Sequence, residues 1–211
     1  QSFGGLTYYY HGEWNNSENI LKDSIGNFEK IGDIVGQLPS AEHLWKIYLM
    51  RGLFNETIEN IDKTIDLCRR TNEKYFIVVS IAALNFVKLI KTGIHDNKEY
   101  EEVENRLKRV NSFLFHVEAG GYLLQTDIAI GNFDKAYNRA KKILPLIFKN
   151  CVNSEYQVRT HSLLCDLVNR ERLNRLKGET KINVSDKQLK KDFIFNVIVL
   201  WFSCLSYPAY W

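Results

Sequence analysis

The chain has 211 residues, of which 45% are hydrophobic and 25% are charged, and its formal net charge is +3. This balance is ordinary for a folded soluble protein, so it excludes a disordered chain, and the net charge is too small to indicate a nucleic-acid-binding protein. Only 3 prolines occur in the sequence, which favours helices over a β fold rich in turns. We therefore expect an all-α protein.

The first predicted elements are amphipathic helices. Residues 3–11 predict the end of one helix, and apolar residues at three- and four-residue spacing predict a second over about 16–31. Gly32 ends this helix, and Pro39 is expected to open the next one, because proline is tolerated in a first turn. The same spacing predicts further helices at about 41–50, 55–70, 74–91 and 99–110. A long turn that begins at Gly93 precedes the last of them.

The later elements are less regular. Gly120 and Gly121 are expected to interrupt or bend a helix, and Pro145 is expected to kink or end the following helix just before it. The pattern then predicts one long helix over 154–176. A polar linker follows, and Ser185 is expected to cap the last helix.

The final stretch of the chain, from Phe193 to Trp211, carries no charged residue. Its length is close to what is needed to span a bilayer. Pro208 and several polar residues shorten the usable helix to about fifteen residues, which favours a buried capping helix over a membrane span. Both interpretations stay open.

A short glycine motif recurs through the first two thirds of the chain. A glycine is followed two residues later by an aromatic residue and three residues after that by a small one, as in Gly131, Phe133 and Ala136. The glycine lets a helix end in a left-handed conformation, and the small residue lets the next helix pack closely. The remaining copies are Gly12 with Trp14 and Ser17, Gly52 with Phe54 and Thr57, and a stretched copy of Gly93 with Tyr100 and Val103. The glycines recur at a nearly constant interval of about 40 residues, as expected of a two-helix repeat, so the four aromatic residues are expected to be equivalent.

These motifs resemble tetratricopeptide repeats over about residues 1–150. Gly4, Gly5 and Tyr8 also match the first-helix pattern of that family. The later units have large residues where the family has a small one, so whether their first helices pack closely stays open. The large residues are Trp45, Phe86 and Leu124. The resemblance implies an all-α fold in which antiparallel helix pairs form a right-handed superhelix, or α-solenoid.

A narrower resemblance involves the stretch from Tyr8 to Trp14 together with Gly32 and Asp33. It is similar to the C-terminal region of soluble adenylyl cyclases and to the repeats of related signalling ATPases. This resemblance implies a regulatory or scaffolding region, with cyclic AMP synthesis carried by other domains. No catalytic residue of that family carries over, because no cyclase or ATPase motif occurs in the sequence.

The sequence contains no pattern that predicts catalysis, a cofactor or a metal. The five histidines form no HxH or HExxH arrangement, and no phosphate-binding loop or nucleophile elbow occurs. The four cysteines form no CxxC pair and fall mostly in apolar helical stretches, which indicates buried reduced thiols in a cytoplasmic protein: Cys68, Cys151, Cys165 and Cys204.

The binding hypothesis rests on the shape that stacked helix pairs adopt. Such pairs curve and leave a concave surface lined by the first helix of each pair. This surface is mixed to apolar, so we expect it to bind a helix or an apolar segment of another protein, or to pack against other domains of the parent chain. In the tetratricopeptide register, the candidate groove residues are Glu42, Lys46, Leu49, Ala83, Val87, Ile90, Gln125 and Ile128.

We expect residues 1–150 to form about four repeats, the first of them truncated, and residues 151–211 to form C-terminal helices with an apolar capping helix. The chain begins without a methionine, which favours a fragment of a longer protein, and the narrower resemblance implies that this parent is a signalling protein. The expected function is non-catalytic protein–protein interaction or intramolecular regulation. The alternatives are the regulatory C-terminal part of a soluble adenylyl cyclase and a membrane-anchored helical adaptor.

Overall fold

The structure, a computed structural model, describes the backbone of residues 2–110, 112–150 and 154–206 and the side chains of 4–110, 112–149 and 159–197. Within these residues the fold is all-α, with ten helices and no strand, which confirms the all-α part of the predicted fold. The right-handed superhelix stays a prediction. The helices are α1 (Ser2–Tyr10), α2 (Trp14–Lys30), α3 (Ile34–Met50), α4 (Phe54–Thr71), α5 (Lys74–Thr92), α6 (Asn97–Arg109), α7 (Phe113–Ala129), α8 (Phe133–Asn150), α9 (Ser154–Leu176) and α10 (Asp186–Ser206).

The chain divides into two compact units. The first ends at Arg106, so it contains α1 to α5 and most of α6, and the second begins at Leu107. The division expected at residue 150, between repeats and C-terminal helices, stays a prediction.

Four helices of the first unit begin at equal intervals along the chain. The evenly spaced starts of α2 to α5 are Trp14, Ile34, Phe54 and Lys74. From α1 to α5 each helix packs on the next one along the chain, and α3 also contacts both α1 and α5. The pattern of a helix pair therefore returns after two such intervals, or about 40 residues, which is within the range of two-helix repeats.

One side-chain hydrogen bond recurs with the same period. The Arg51 guanidinium donates to Oδ1 of Asn15 at 2.6 Å, and the Lys91 ammonium donates to Oδ1 of Asn55. Each bond joins residues 36 positions apart, and the second bond lies one helix pair further along the chain. The C-terminal end of α3 is thus joined to the start of α2 in the same way as the end of α5 is joined to the start of α4.

Three of the glycine motifs form the same turn. Gly12, Gly52 and Gly131 have φ values of +75°, +71° and +79°. In each copy the next residue donates a backbone hydrogen bond five residues back, which ends a helix sharply: Glu13 to Tyr8 at 3.0 Å, Leu53 to Tyr48 at 2.9 Å and Asn132 to Asp127 at 2.8 Å. The aromatic residue begins the next helix and is half-buried in all three copies. The small residue is fully buried in all three: Ser17, Thr57 and Ala136.

The stretched copy departs from this turn. Gly93 is left-handed, but its N–H donates to the carbonyl of Leu89 at 2.7 Å, and α6 begins only at Asn97. Tyr100 is therefore the fourth residue of its helix, is buried, and packs edge-on against the ring of His95 with centroids 5.2 Å apart. The expected equivalence of this ring with the other three aromatic residues is wrong, because the longer turn shifts the start of α6.

Pro39 does not open a helix. It lies within α3, which begins earlier, at Ile34, because the Asp33 side chain accepts a hydrogen bond from the N–H of Gly36 at 2.8 Å. This cap satisfies one of the unpaired donors at the helix start. The cap thus decides where α3 begins, and the proline is accommodated inside it.

Pro145 does not end its helix either. Helix α8 continues through this residue to Asn150. Ile147, in the turn beyond the proline, is fully buried in a cluster with Val117 of α7. Packing of the last turn on α7 therefore outweighs the backbone hydrogen bond that proline removes.

The glycine pair does not interrupt α7. Both residues lie inside the continuous helix and are buried. A Cβ on Gly121 would come within 2.9 Å of the Arg159 guanidinium, and one on Gly120 within 3.2 Å of Ile143 Cδ1. The glycines give α8 and α9 room to approach α7.

The second unit packs its helices in chain order from α7 to α10, and α7 also contacts α9. Ile182 of the linker before α10 is fully buried in the same core, so this linker is not wholly polar. Ser185 accepts a hydrogen bond from the N–H of Gln188 at 3.2 Å, which confirms the predicted cap of α10. The core of this unit includes Leu124, Ala136, Ala140, Leu164, Leu167 and Val168.

Among the described residues, one helix is long and apolar enough to cross a membrane. It is α5, Lys74–Thr92, with a mean hydropathy of 1.6, and 56% of its most apolar stretch is buried in the structure. A buried core helix meets the same criteria of length and composition. The stretch predicted to form a cap or a span ends outside the described residues, since 207–211 are not described and side chains beyond 197 are not either.

Candidate functional site

The chemistry of the described side chains offers little reactivity. No group of three or more His, Cys, Asp or Glu residues among them is placed to hold a metal ion. Burial, together with the carboxylates of Glu73 and Glu42, raises the pKa of Cys68 to about 12. This thiol stays protonated near neutral pH and is a poor nucleophile.

The predicted groove residues of α3 are mostly buried. Glu42 and Lys46 are 4% and 9% exposed and form an ion pair at 3.2 Å within their helix. The Lys46 ammonium also lies 5.7 Å from the ring centroid of Trp45. Leu49 is half-buried.

On α5 and α7 the predicted groove residues range from buried to exposed. Ala83 and Val87 are fully buried, whereas Ile90 is 41% exposed. Gln125 is half-buried, and Ile128 is buried. In this conformation the accessible members of the predicted groove are therefore Leu49, Ile90 and Gln125, and the groove as a binding site stays a prediction.

A cleft that the sequence did not predict lies in the first unit between α4, α5 and α6, and we name it the α4–α6 cleft. Its volume is about 410 Å³. Its apolar lining is formed by Ile65, Ile77, Ile81 and Leu84. Charged residues also line it: Asp62, Arg69, Lys88, Glu99, Glu102 and Arg106. A concave apolar site with a few convergent polar groups is the usual form of a ligand site.

The cleft uses a different face of α5 from the predicted groove. The cleft residues of α5 are spaced four, three and four positions apart, which places them on one helical face. The predicted groove residues of α5 lie about a third of a turn away from that face. One feature of the sequence could have indicated this cleft. Helix α5 is apolar on almost all sides, so apolar residues remain on it after the predicted groove residues are assigned.

A chain of buried polar side chains joins α8, α9 and α10 in the second unit. Nδ1 of His161 is hydrogen-bonded to Oδ1 of Asn196, and the Asn196 amide donates to the backbone carbonyl of Asp192 at 2.6 Å. The Asp192 carboxylate accepts from the Tyr137 hydroxyl and from the Lys141 ammonium, the latter at 3.0 Å. All of these residues are buried except the lysine.

This polar chain changes the acidity of its members. Burial lowers the pKa of His161, although the hydrogen bond with Asn196 opposes that shift. Burial and the Asp192 carboxylate raise the pKa of Tyr137. Both side chains are therefore neutral near pH 7, and the arrangement holds three helices together without exposing a reactive group.

No protein-family model matches the chain, and no curated protein matches it. The described residues define an all-α protein whose helix starts recur evenly from α2 to α5.

Proposed function

We propose that this chain is a tetratricopeptide-like helical-repeat region that mediates protein–protein contact or intramolecular regulation in a larger signalling protein. In this proposal its helix pairs form a right-handed superhelix, and the region is non-catalytic and cytoplasmic. Its partner is a segment of another protein or another domain of its own parent chain.

The observation that carries the proposal is the recurrence of helices and contacts from one helix pair to the next. Helix starts at Trp14 and Phe54 are followed by equivalent small buried residues and by equivalent asparagine contacts. Repeats of this kind bury their core only by stacking on neighbours, and stacking leaves an extended surface for a partner. This favours a binding role over a catalytic one.

The narrower association with soluble adenylyl cyclases stays a prediction. It rests on the stretch from Tyr8 to Trp14 with Gly32 and Asp33. The membrane-anchored adaptor also stays a prediction, and it rests on the uncharged stretch from Phe193 to Trp211.

Photo-crosslinking tests the proposal. We place a benzophenone amino acid at Ile90, an accessible groove position, and a matched one at Lys63 on the exposed face of α4. In cells, position 90 is expected to capture one discrete polypeptide, or a segment of the parent chain, that position 63 does not capture. Identical capture from both positions, or none from position 90, would contradict the proposed groove.

A further inference from the structure

Side chains of α8 and α10 in the second unit meet across α9, on which both helices pack. The Lys141 ammonium of α8 donates to the Asp192 carboxylate of α10 at 3.0 Å. Seven residues further along α8, the Phe148 ring lies edge-on to His161 of α9, with centroids 5.6 Å apart. The Phe195 ring of α10 lies 6.3 Å from the same imidazole. The two helices therefore run in the same direction across α9.

The exposed side of these two helices carries five lysines that form no ion pair among the described side chains. The carboxylates of α8 and α10 are engaged elsewhere. Asp192 pairs with Lys141, Asp186 pairs with Arg175 at 2.5 Å, and Asp134 accepts a backbone N–H of the linker at 2.9 Å. The positive charge on this side is therefore not neutralised by neighbouring acids. The five lysines are Lys142, Lys149, Lys187, Lys190 and Lys191.

Exposed apolar side chains follow the lysines of α10. Because they come three and four positions after Lys190 and Lys191, they lie on the same side of the helix. Phe148 of α8 is also 47% exposed. The sequence has no charged residue from Phe193 to Trp211, so the apolar character does not end with the described side chains. The exposed apolar residues of α10 are Ile194, Phe195 and Val197, at 48%, 51% and 43%.

We name these five lysines and four apolar residues the α8–α10 face. Its lysines and its apolar residues are segregated along α10, with the charges first. An anionic lipid bilayer is layered in the same order, with phosphate groups outside and hydrocarbon beneath. Helices that carry lysines beside exposed phenylalanine and aliphatic residues bind at this interface, and clusters of about four to eight basic residues next to an apolar segment bind anionic headgroups.

Other partners match the face less well. An acidic peptide would contact the lysines and leave four large apolar side chains in water. Single-stranded nucleic acid is bound where stacking aromatic residues lie along a basic groove, whereas here the lysines and the apolar residues of α10 are separate. A second copy of the same face would bring lysines against lysines, which repel each other.

We propose that the α8–α10 face binds the surface of an anionic lipid bilayer. The apolar residues insert among the upper parts of the acyl chains, and the lysines contact headgroup phosphates. This inference goes beyond the proposed function, because it assigns a second kind of partner to a surface of the second unit. It also differs from a membrane span, since the described part of α10 stays packed on α9 while the face lies on the bilayer.

The test is cosedimentation of the full chain with lipid vesicles. One set contains phosphatidylcholine alone, and the other contains phosphatidylcholine with about 30% phosphatidylserine. The chain is expected to bind the anionic vesicles at least about tenfold more tightly than the neutral ones, because each lysine near an anionic surface adds to the attraction. Added salt is expected to weaken this binding, since it screens exposed charges.

Two variants separate the contributions of charge and apolar contact. Lys190→Gln combined with Lys191→Gln is expected to bind anionic vesicles at least about tenfold more weakly. Its matched control is Lys30→Gln combined with Lys98→Gln, which removes the same charge from exposed positions of the first unit and is expected to change affinity by less than about twofold.

Ile194→Ser is expected to bind anionic vesicles at least about fivefold more weakly, because it removes apolar area that enters the bilayer. Its matched control is Ile94→Ser, at an exposed position of the first unit, with affinity unchanged within about twofold. Thermal melting of all four variants checks that each one is folded at the temperature of the assay.

Four results would overturn the inference. They are equal binding to the two kinds of vesicle, equal loss of binding in the two double lysine variants, equal binding by Ile194→Ser and Ile94→Ser, and binding of a polyglutamate peptide without binding of either vesicle. The last result would assign the lysines to an acidic protein segment instead.

Discussion

The small residue after each glycine turn is fully buried without leaving a polar atom unsatisfied. The Ser17 hydroxyl donates to the carbonyl of Gly5 at 2.7 Å, and the Thr57 hydroxyl donates to that of Leu53 at 2.8 Å. Both hydroxyls are therefore satisfied although the residues are fully buried. Ala136 occupies the same position with no polar atom to satisfy. Serine and threonine are accommodated at these buried positions because nearby carbonyls accept their hydrogen bonds.

His161 gives the second unit a predictable response to pH. Its pKa is lower in the folded chain than the ordinary value of 6.5, so the unfolded chain binds the additional proton first. The stability that depends on this residue is fully present above pH 6.5 and is lost as pH falls below 6.5 toward the folded-state pKa. Denaturant titrations of the wild type at pH 7.5 and at pH 5.5 are expected to show a smaller free energy of unfolding at the lower pH.

The control for this prediction is His161→Gln, which keeps a hydrogen-bonding side chain but does not titrate. As the pH falls, the free energy of unfolding is expected to decrease more for the wild type than for the variant. A difference that stays constant between the two pH values would show that the buried imidazole does not contribute to the pH response.

At the scale of elements, Arg175 connects α9, the linker and α10. Its guanidinium donates to the fully buried carboxylate of Glu171 at 2.7 Å and to Asp186 at 2.5 Å. It also donates to the backbone carbonyls of Ile182 and Val184, at 2.8 Å and 2.7 Å. One side chain thereby fixes the path of the linker.

Replacing this arginine tests that role. Arg175→Ala is expected to lower the free energy of unfolding by about 2 kcal/mol or more, because it leaves a buried carboxylate short of a partner. Arg170→Ala is the matched control, since Arg170 pairs with Asp166 in the same helix but both are about half exposed. The control is expected to lose less than about 0.5 kcal/mol. Equal losses in urea denaturation would contradict the account of the linker.

Helices with strong apolar periodicity could be predicted from the sequence. The residues at which they begin and end were harder to predict. The helix at Ser154–Leu176 matches its predicted span, because polar residues bound a long apolar pattern. Pro39 misled the prediction, since the start of α3 is set by the Asp33 cap instead of by the proline. Pro145 misled it because burial of Ile147 depends on α7, which the local sequence does not reveal.

At the scale of the whole molecule, the sequence revealed the period but not the sites that interrupt it. Three glycine turns were predictable because each depends on a short run of consecutive residues. The contact of His161 with Asn196 joins residues 35 positions apart, and no local spacing indicates it. The α4–α6 cleft likewise depends on where a lengthened turn places Glu99 relative to α5. Residues one period apart could be matched from the sequence alone, whereas the places that depart from the pattern could be found only from the structure.

The central claim is that corresponding positions after the three regular glycine turns are physically equivalent. Urea denaturation of Ser17→Glu, Thr57→Glu and Ala136→Glu tests it most directly, with two controls that copy residues from equivalent positions. Asn19→Glu introduces the residue found one period later at Glu59, and Ala136→Ser introduces the residue found at Ser17. The three glutamates are each expected to lower the free energy of unfolding by about 3 kcal/mol or more, through burial of an unpaired carboxylate, while both controls change it by less than about 1 kcal/mol. A glutamate accepted without loss at any of the three positions would contradict the repeat.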